Sequence, residues 1–298
     1  MTPSRSTKLA SLATLVAIWG TTWAVIRVGL RGIPPITGVA IRFAIAGLVL
    51  WAVALGIGLR GRALRAPIAV WVVNGLCTFA LSYGIVYWAE QYVPTGLTAV
   101  LFATFPLFVA VLAHFLLPGE RLRAGSVLGL VVGLLGVAVL FGTDLLRVWR
   151  GDGGDRRLAL ACAVLLLAPL AAAIGQVVVK RWGGGVHTLA LNAGSMAVCA
   201  LVMGALAALF ERGRPVHLDA PSVAAVLYLS LAGTAVTFTL YFWLLRQMPA
   251  THLSLTAYVI PVVAVLVGAL AFDEPVTARL LLGGALVVAG TAITTRRR

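Results

Sequence analysis

Apolar positions run along this chain in blocks of roughly twenty residues, separated by short polar connections. Ten blocks can be drawn, near residues 8–29, 35–58, 67–89, 94–117, 124–142, 157–180, 187–210, 221–245, 250–271 and 277–295. A helix of about twenty residues rises about 30 Å, the depth of the hydrocarbon core of a bilayer. Lipid offers no partner to backbone N–H and C=O groups, so apolar blocks of this length are satisfied only as helices. The pattern predicts an all-α integral membrane protein with ten transmembrane helices. The longest polar connection, TDLLRVWRGDGGDRR at 143–157, lies near the middle of the chain, and no soluble domain is inserted.

The blocks repeat. VPTGLTAVLFATFPLF (93–108) holds Pro94 and Pro106, and MPATHLSLTAYVIPVV (248–263) holds Pro249 and Pro261, each pair twelve residues apart. The shift of 155 also sets YGIVYW (83–88) on FTLYFW (238–243), placing Tyr83 on Phe238, Tyr87 on Phe242 and Trp88 on Trp243. A shift of 154 then pairs Glu120 with Glu274, Gly129 with Gly283 and Gly136 with Gly290. This reads as a duplication, with five spans in residues 1–147 and five in 148–298. Five is odd, so the second half enters the membrane from the opposite side and the repeat is inverted. Inverted halves with matched mid-span breakers are a sign of alternating access. Pro106 and Pro261 are therefore the expected hinges. The alternative is that each only kinks a helix for packing.

Composition agrees with the pattern. Hydrophobic residues make up 61% and charged residues 11%, with mean hydropathy +1.04; soluble domains carry about 25% charged residues. The net charge of +14 does not point to nucleic acid, because the basic residues sit between apolar blocks and form no separate domain. With the N-terminus placed in the cytoplasm, 13 Lys and Arg fall inside and 9 outside. The bias puts both termini inside a bacterial inner membrane. MTPSRSTK precedes the first block without a small-residue cleavage site, so that block is read as a helix and not a removed signal. Cys77, Cys162 and Cys199 lie inside blocks and show no metal or disulfide spacing.

No motif for catalysis, metal binding or a nucleotide cofactor is present, so no cofactor is expected. All nine acids lie at or beyond span ends. With no mid-membrane carboxylate, the expectation is facilitated transport, or coupling by something other than a buried acid. Glu90 is the one acid near a cavity mouth, either a coupling group or an interfacial residue. Arg42, inside span 2, either pairs helices or attracts a substrate carboxylate. Gln176, inside span 6, is expected to line a cavity; Lys180, a turn later, reads as interfacial. His114 and His252 lie within or at the edge of spans, where lone histidines more often pack than bind. Aromatic and hydroxyl residues at helical spacing make the better binding set. They are Trp19, Thr22 and Trp23 in span 1; Phe79, Tyr83 and Tyr87 in span 3; Phe102 in span 4; Phe238 and Phe242 in span 8; Ser254 and Tyr258 in span 9. Such walls suit an amphipathic solute. Gly125, Gly129 and Gly133 form GxxxG steps that allow close helix approach, within a monomer in preference to a dimer.

AIWGTTWAVIR, IRFAIAGL, YWAEQYVPTGLTAVLFATFPLF and LLPGERLRAGSVLGLVVGLLGVAVL together resemble the EamA-type branch of the drug/metabolite transporter superfamily. FWLLRQMPATHLSLTAYVIPVV and FDEPVTARLLLGGALVVAG repeat the last two patterns in the second half. The resemblance covers essentially the whole chain. It implies ten helices in two inverted five-helix repeats, cytoplasmic termini, and a central cavity lined by spans 1, 3, 4, 6, 8 and 9. It also implies export of amino acids or other small metabolites. Within the branch the chain is similar to the YddG aromatic amino acid exporters, which place a tryptophan early in span 1, where Trp19 stands. It departs from them in span 6, where LLLAPLAAAIGQVV holds Pro169 and Leu170 in place of a tryptophan. The competing readings are a membrane enzyme acting on a lipid, for which acids and metal ligands are missing at mid-span, and a scaffold, which has no need of matched breakers.

Overall fold

The computed structural model describes residues 4–64, 66–140, 156–262 and 278–295. The central polar connection, its acids Asp144 and Asp152 and Asp155, the pair Asp273 and Glu274, and the terminal arginines lie outside the described residues. Every regular element among the described residues is helical. Seven helices among the described residues are long and apolar enough to cross a membrane: α1 Arg5–Gly29, α2 Pro35–Gly56, α3 Ile68–Ala89, α4 Leu97–Leu116, α6 Arg157–Trp182, α7 Thr188–Phe210 and α8 Ala220–Leu245. Three shorter apolar segments stand at the remaining positions, α5 Ala124–Leu140, α9 Ala250–Val262 and α10 Ala278–Thr295.

The starts of these helices follow local chemistry. Ser4 caps α1 by accepting from the Thr7 N–H at 3.1 Å, and Asp219 caps α8 through Ser222 at 2.9 Å. Pro67, Pro94 and Pro249 are N-caps, and Pro35 opens α2. A proline costs nothing there because the first N–H groups of a helix have no partner in any case. The surface is apolar: Leu48, Phe115, Leu201 and Leu209 are 70–78% exposed. The polar side chains Arg42, Gln176, Asn74 and Asn192 are buried. This is the inverse of a soluble protein and suits lipid as the solvent.

The breaks in α4, α6 and α9 depart from single continuous helices. α4 is two helices, Thr95–Phe102 and Phe105–Leu116, with Pro106 in the first turn of the second. Pro106 cannot donate to the Phe102 carbonyl, so the ladder stops there. The Thr104 hydroxyl bonds the Leu101 carbonyl at 2.7 Å. α6 breaks the same way at Leu166, three residues before Pro169. In α9 the break falls at Leu255, six residues before Pro261. There the Ser254 and Thr256 hydroxyls take the Thr251 and Leu253 carbonyls, competing with the backbone. Pro106 therefore sits at a break, and Pro261 does not.

Two further departures from regular helix have no sequence signal. Asn74–Leu81 in α3 and Leu231–Val236 in α8 are wound as π-helix. Both segments end at positions 155 apart, Leu81 and Val236, the same shift that relates the sequence halves.

The most extensive helix contacts join α5 to α10 and α2 to α7. At α5–α10 a methyl group on Gly129 would lie 2.6 Å from the Gly290 carbonyl oxygen, and one on Gly136 would lie 2.8 Å from that of Gly283. Gly129 and Gly283 are matched in sequence, as are Gly136 and Gly290. The two contacts therefore exchange under one two-fold relation. Gly133 takes the ring of Tyr258. Gly125 has nothing within 4 Å, so only part of the GxxxG run is used in this packing.

Candidate functional site

Contacts between helix ends define two faces. On the first, the end of α6 meets the end of α8 and the start of α9. Lys180 Nζ donates to the Leu245 and Met248 carbonyls at 2.6 and 2.9 Å, and Gln176 Nε2 to the Ala250 carbonyl at 3.0 Å. Glu120 accepts from the first N–H groups of α9, Ala250 and Thr251, at 2.9 and 3.3 Å. On the second face, Glu211 at the end of α7 accepts from Ile36 and Thr37 at the start of α2, at 3.1 and 2.7 Å. Each carboxylate satisfies donors that a helix N-terminus leaves unpaired.

Between the faces lies a cavity of about 90 Å³. Its walls come from α1, α3, α4, α6, α8 and α9, the six spans that the resemblance implies. Trp19 stacks edge-on to Phe238 at 5.3 Å and lies 5.2 Å from Tyr241; Trp23 meets Phe102 at 5.6 Å. Thr22, Tyr83, Gln176 and Phe242 also reach it, as does Pro261. Of the lining hydroxyls, Thr22 and Thr256 are spent on nearby carbonyls, while Thr78 and Ser82 on α3 are buried with no hydrogen bond. No acid or base is among the described lining residues.

Four residues expected at the site lie elsewhere. Phe79 is buried one layer back, 4.9 Å from Phe43 and 4.8 Å from Phe238. The Tyr87 hydroxyl accepts from Arg42 at 3.3 Å. Ser254 is turned back on its own helix, and Tyr258 fills the notch at Gly133 and donates to the Leu130 carbonyl at 2.8 Å. Helical spacing put these side chains on one face but could not say which neighbour that face meets. Conversely, Thr78, Ser82, Phe105 and Tyr241 line the cavity without having been singled out. Thr78 lies in the π-segment of α3 and Ser82 directly follows it.

Arg42 pairs helices. It is 1% exposed, donates to the Thr234 hydroxyl at 2.7 Å and the Gly233 carbonyl at 3.0 Å, and lies 4.7 Å from the Tyr83 ring. Trp19 donates to the same carbonyl at 3.4 Å. The wide turn of α8 frees Gly233, and it holds both the cavity's tryptophan and the buried cation behind Tyr83. His114 is a packing residue that accepts from the Leu122 N–H at 3.2 Å. His252 borders a second, more open cavity of about 660 Å³ at the first face, with Glu120, Arg121 and Arg123. Lys180, expected at the interface, is half-buried in the first-face contact. Glu90, directly after the last residue of α3, is buried among the helices at 3% exposure.

The sequence profile of the EamA-like transporter family matches residues 7–142 and again residues 159–296. The chain is 28% identical over 291 residues to the uncharacterized transporter YoaV of Bacillus subtilis (strain 168), covering 96% of each. It is 31% identical over 271 residues to the inner membrane transporter YedA of Escherichia coli (strain K12), covering 87% of this chain and 80% of YedA. A protein of Streptantibioticus cattleyicolor named as a probable terminal-alkyne amino-acid exporter is 28% identical over 295 residues, covering 96% and 93%. A solved crystal structure, 24% identical, superposes with a TM-score of 0.79 over 98% of this chain and 97% of its own, which speaks for the fold.

Proposed function

The chain belongs to the EamA-like transporter family, a multi-pass membrane protein and transporter, and from that premise we propose that it exports amino acids, aromatic or otherwise amphipathic, or similar small metabolites. The observation that carries this reading is the chemistry of the cavity. Aromatic rings from α1, α4 and α8 form its walls, two unpartnered hydroxyls on α3 supply its polar end, and no fixed charge faces it. The rings fit an apolar body, and the Thr78 and Ser82 hydroxyls are the free polar groups for the paired charges of a zwitterion, whereas a solute with net charge would in addition bring an uncompensated charge into a low dielectric. The name of the Streptantibioticus relative points to the same substrate class.

Residues 1–147 and 148–298 act in this reading as two inverted repeats. The two matches of the family profile, the matched π-segments and the exchanged glycine contacts support it. Both termini face the cytoplasm, so the first face is cytoplasmic. About 90 Å³ is below the roughly 300–1,000 Å³ of open small-molecule sites. The described state is accordingly a nearly closed one, and the broken helix α4 moves to admit solute.

Counterflow into proteoliposomes tests the function. Vesicles loaded with unlabelled phenylalanine should take up labelled phenylalanine, and leucine should compete where aspartate and lysine do not. Absence of counterflow for every neutral amino acid would overturn the substrate class. A lipid-modifying enzyme, the competing reading, would instead change the vesicle lipids.

A further inference from the structure

The first face is held by Lys180, whose ammonium closes on carbonyls at the end of α8. The α1–α2 start matches the α6–α7 start at a shift of 153, since Pro34 and His187 are the equivalent N-caps. That shift carries Lys180 onto Arg27, and the shift of 155 carries Leu245 onto Glu90. The second face therefore sets Arg27 against the end of α3 as the first face sets Lys180 against the end of α8, and it adds the Glu90 carboxyl where the first face has the apolar side chain of Leu245.

The counterpart is unmade. Among the described residues Arg27 is exposed and has no hydrogen bond or ion pair. Glu90 is buried, and neither carboxyl oxygen has a partner. The charged and titratable groups around Glu90 are Arg27 on α1, Arg42 on α2 and Tyr87 on its own helix. α6 also packs on this half of α3 and carries Arg157 and Cys162. Arg42 is already committed to Gly233 and Thr234. A carboxylate cannot stay ionised there without a partner, so burial pushes Glu90 up to about 8, against the pull of Arg27 and Arg42.

Resting on the export reading above, we propose that Glu90 is the proton-binding site that couples transport: it is protonated while the Arg27 latch is open, and it ionises to pair with Arg27 when the second face closes. Inverted repeats exchange conformations between the two states, so the contact present in one half is the one the other half makes next. On closure the Arg27 guanidinium replaces the carboxyl proton as the compensating charge, and the proton taken up from the second face is released toward the first face, which opens in the same step. One proton moves per cycle, so a pH difference of one unit can drive solute up to about tenfold against its gradient.

Two measurements on the full-length protein test this separately from the export reading. The first needs no substrate. Infrared difference spectra between pH 6 and pH 9 should show a protonated carboxyl that titrates in wild type and is absent in Glu90→Gln. Superimposable wild-type and variant spectra would overturn the proposal. The second uses labelled phenylalanine in proteoliposomes. Wild type should accumulate it in response to an imposed pH difference. Glu90→Gln and Arg27→Gln should retain measurable counterflow yet lose that accumulation. Counterflow in wild type with no response to the pH difference, or a response that Glu90→Gln keeps, would refute coupling and leave transport standing. Absence of counterflow would remove the export reading, with the infrared titration still deciding the state of Glu90.

Discussion

Gly290→Ala places a methyl group where the backbones of α5 and α10 meet. It would lie 2.6 Å from the Gly129 carbonyl oxygen and 2.7 Å from the Gly133 Cα. Both are backbone atoms that cannot rotate away. Non-bonded carbons rest at about 3.5–4.0 Å, so the two helices must part by about 1 Å, which forfeits a quarter to a half of the dispersion well at each contact they share. Overpacking of this kind costs about 1–3 kcal/mol, and the better helix propensity of alanine returns at most about 1 kcal/mol. A net loss of about 1–2 kcal/mol is expected. Gly125→Ala, on the partner helix α5, is the control: the same change, with nothing within 4 Å. Only the propensity gain is left, so it should be neutral or slightly stabilising. Tryptophan-fluorescence melting of purified protein reads both. Gly290→Ala should melt a few degrees lower with unchanged elution on size exclusion, and Gly125→Ala at or above wild type. Equal melting for Gly290→Ala and wild type would refute the close approach. A shift in elution volume would instead assign these glycines to a dimer.

Four other outcomes follow from single observations. Thr78→Val and Ser82→Ala remove hydroxyls that bond nothing in the empty protein, so melting should hold or rise. Half-saturation for phenylalanine counterflow should increase about threefold to tenfold, the worth of one hydrogen bond; unchanged half-saturation would take both hydroxyls out of the site. Tyr258→Phe loses the bond to the Leu130 carbonyl and should cost about 1 kcal/mol in melting experiments without altering counterflow. Glu120→Gln offers one acceptor to the two N–H groups of Ala250 and Thr251, so a cysteine introduced at Thr256 should react faster with a water-soluble thiol reagent added at the first face. Glu90 holds in the folded state a proton that the unfolded chain gives up at about 4.5. Wild type should therefore lose stability as pH rises from about 4.5 to about 8, by roughly several kcal/mol at most, and Glu90→Gln should flatten that slope.

The helices could be read from sequence because hydrophobic length is a local property and lipid leaves the backbone no other choice. Trp19, Trp23, Tyr83 and Phe102 could be picked out because they are large, apolar and away from the interfacial belt. Tyr258 shows the limit. Its helical position is the same whether it faces a cavity or the notch at Gly133, and only the partner helix, more than a hundred residues away in the chain, settles which. Glu90 shows another. A carboxyl at the end of an apolar run looks exposed until α2 and α6 pack against it.

The sequence by itself determined the membrane class, the ten apolar segments and the pattern that recurs at a shift near 155 residues. Each follows from composition or short-range chemistry. Only the tertiary structure decided that α3 and α8 carry matched π-turns, that α9 breaks at Leu255 and not at Pro261, and that the Gly233 carbonyl holds both Trp19 and Arg42. It also decided that Lys180 is bonded to the carbonyls of Leu245 and Met248 while the buried Glu90 carboxyl has no partner. These depend on which surfaces meet across the bundle, and in a bilayer that choice is made by close packing and by the pairing of buried polar groups.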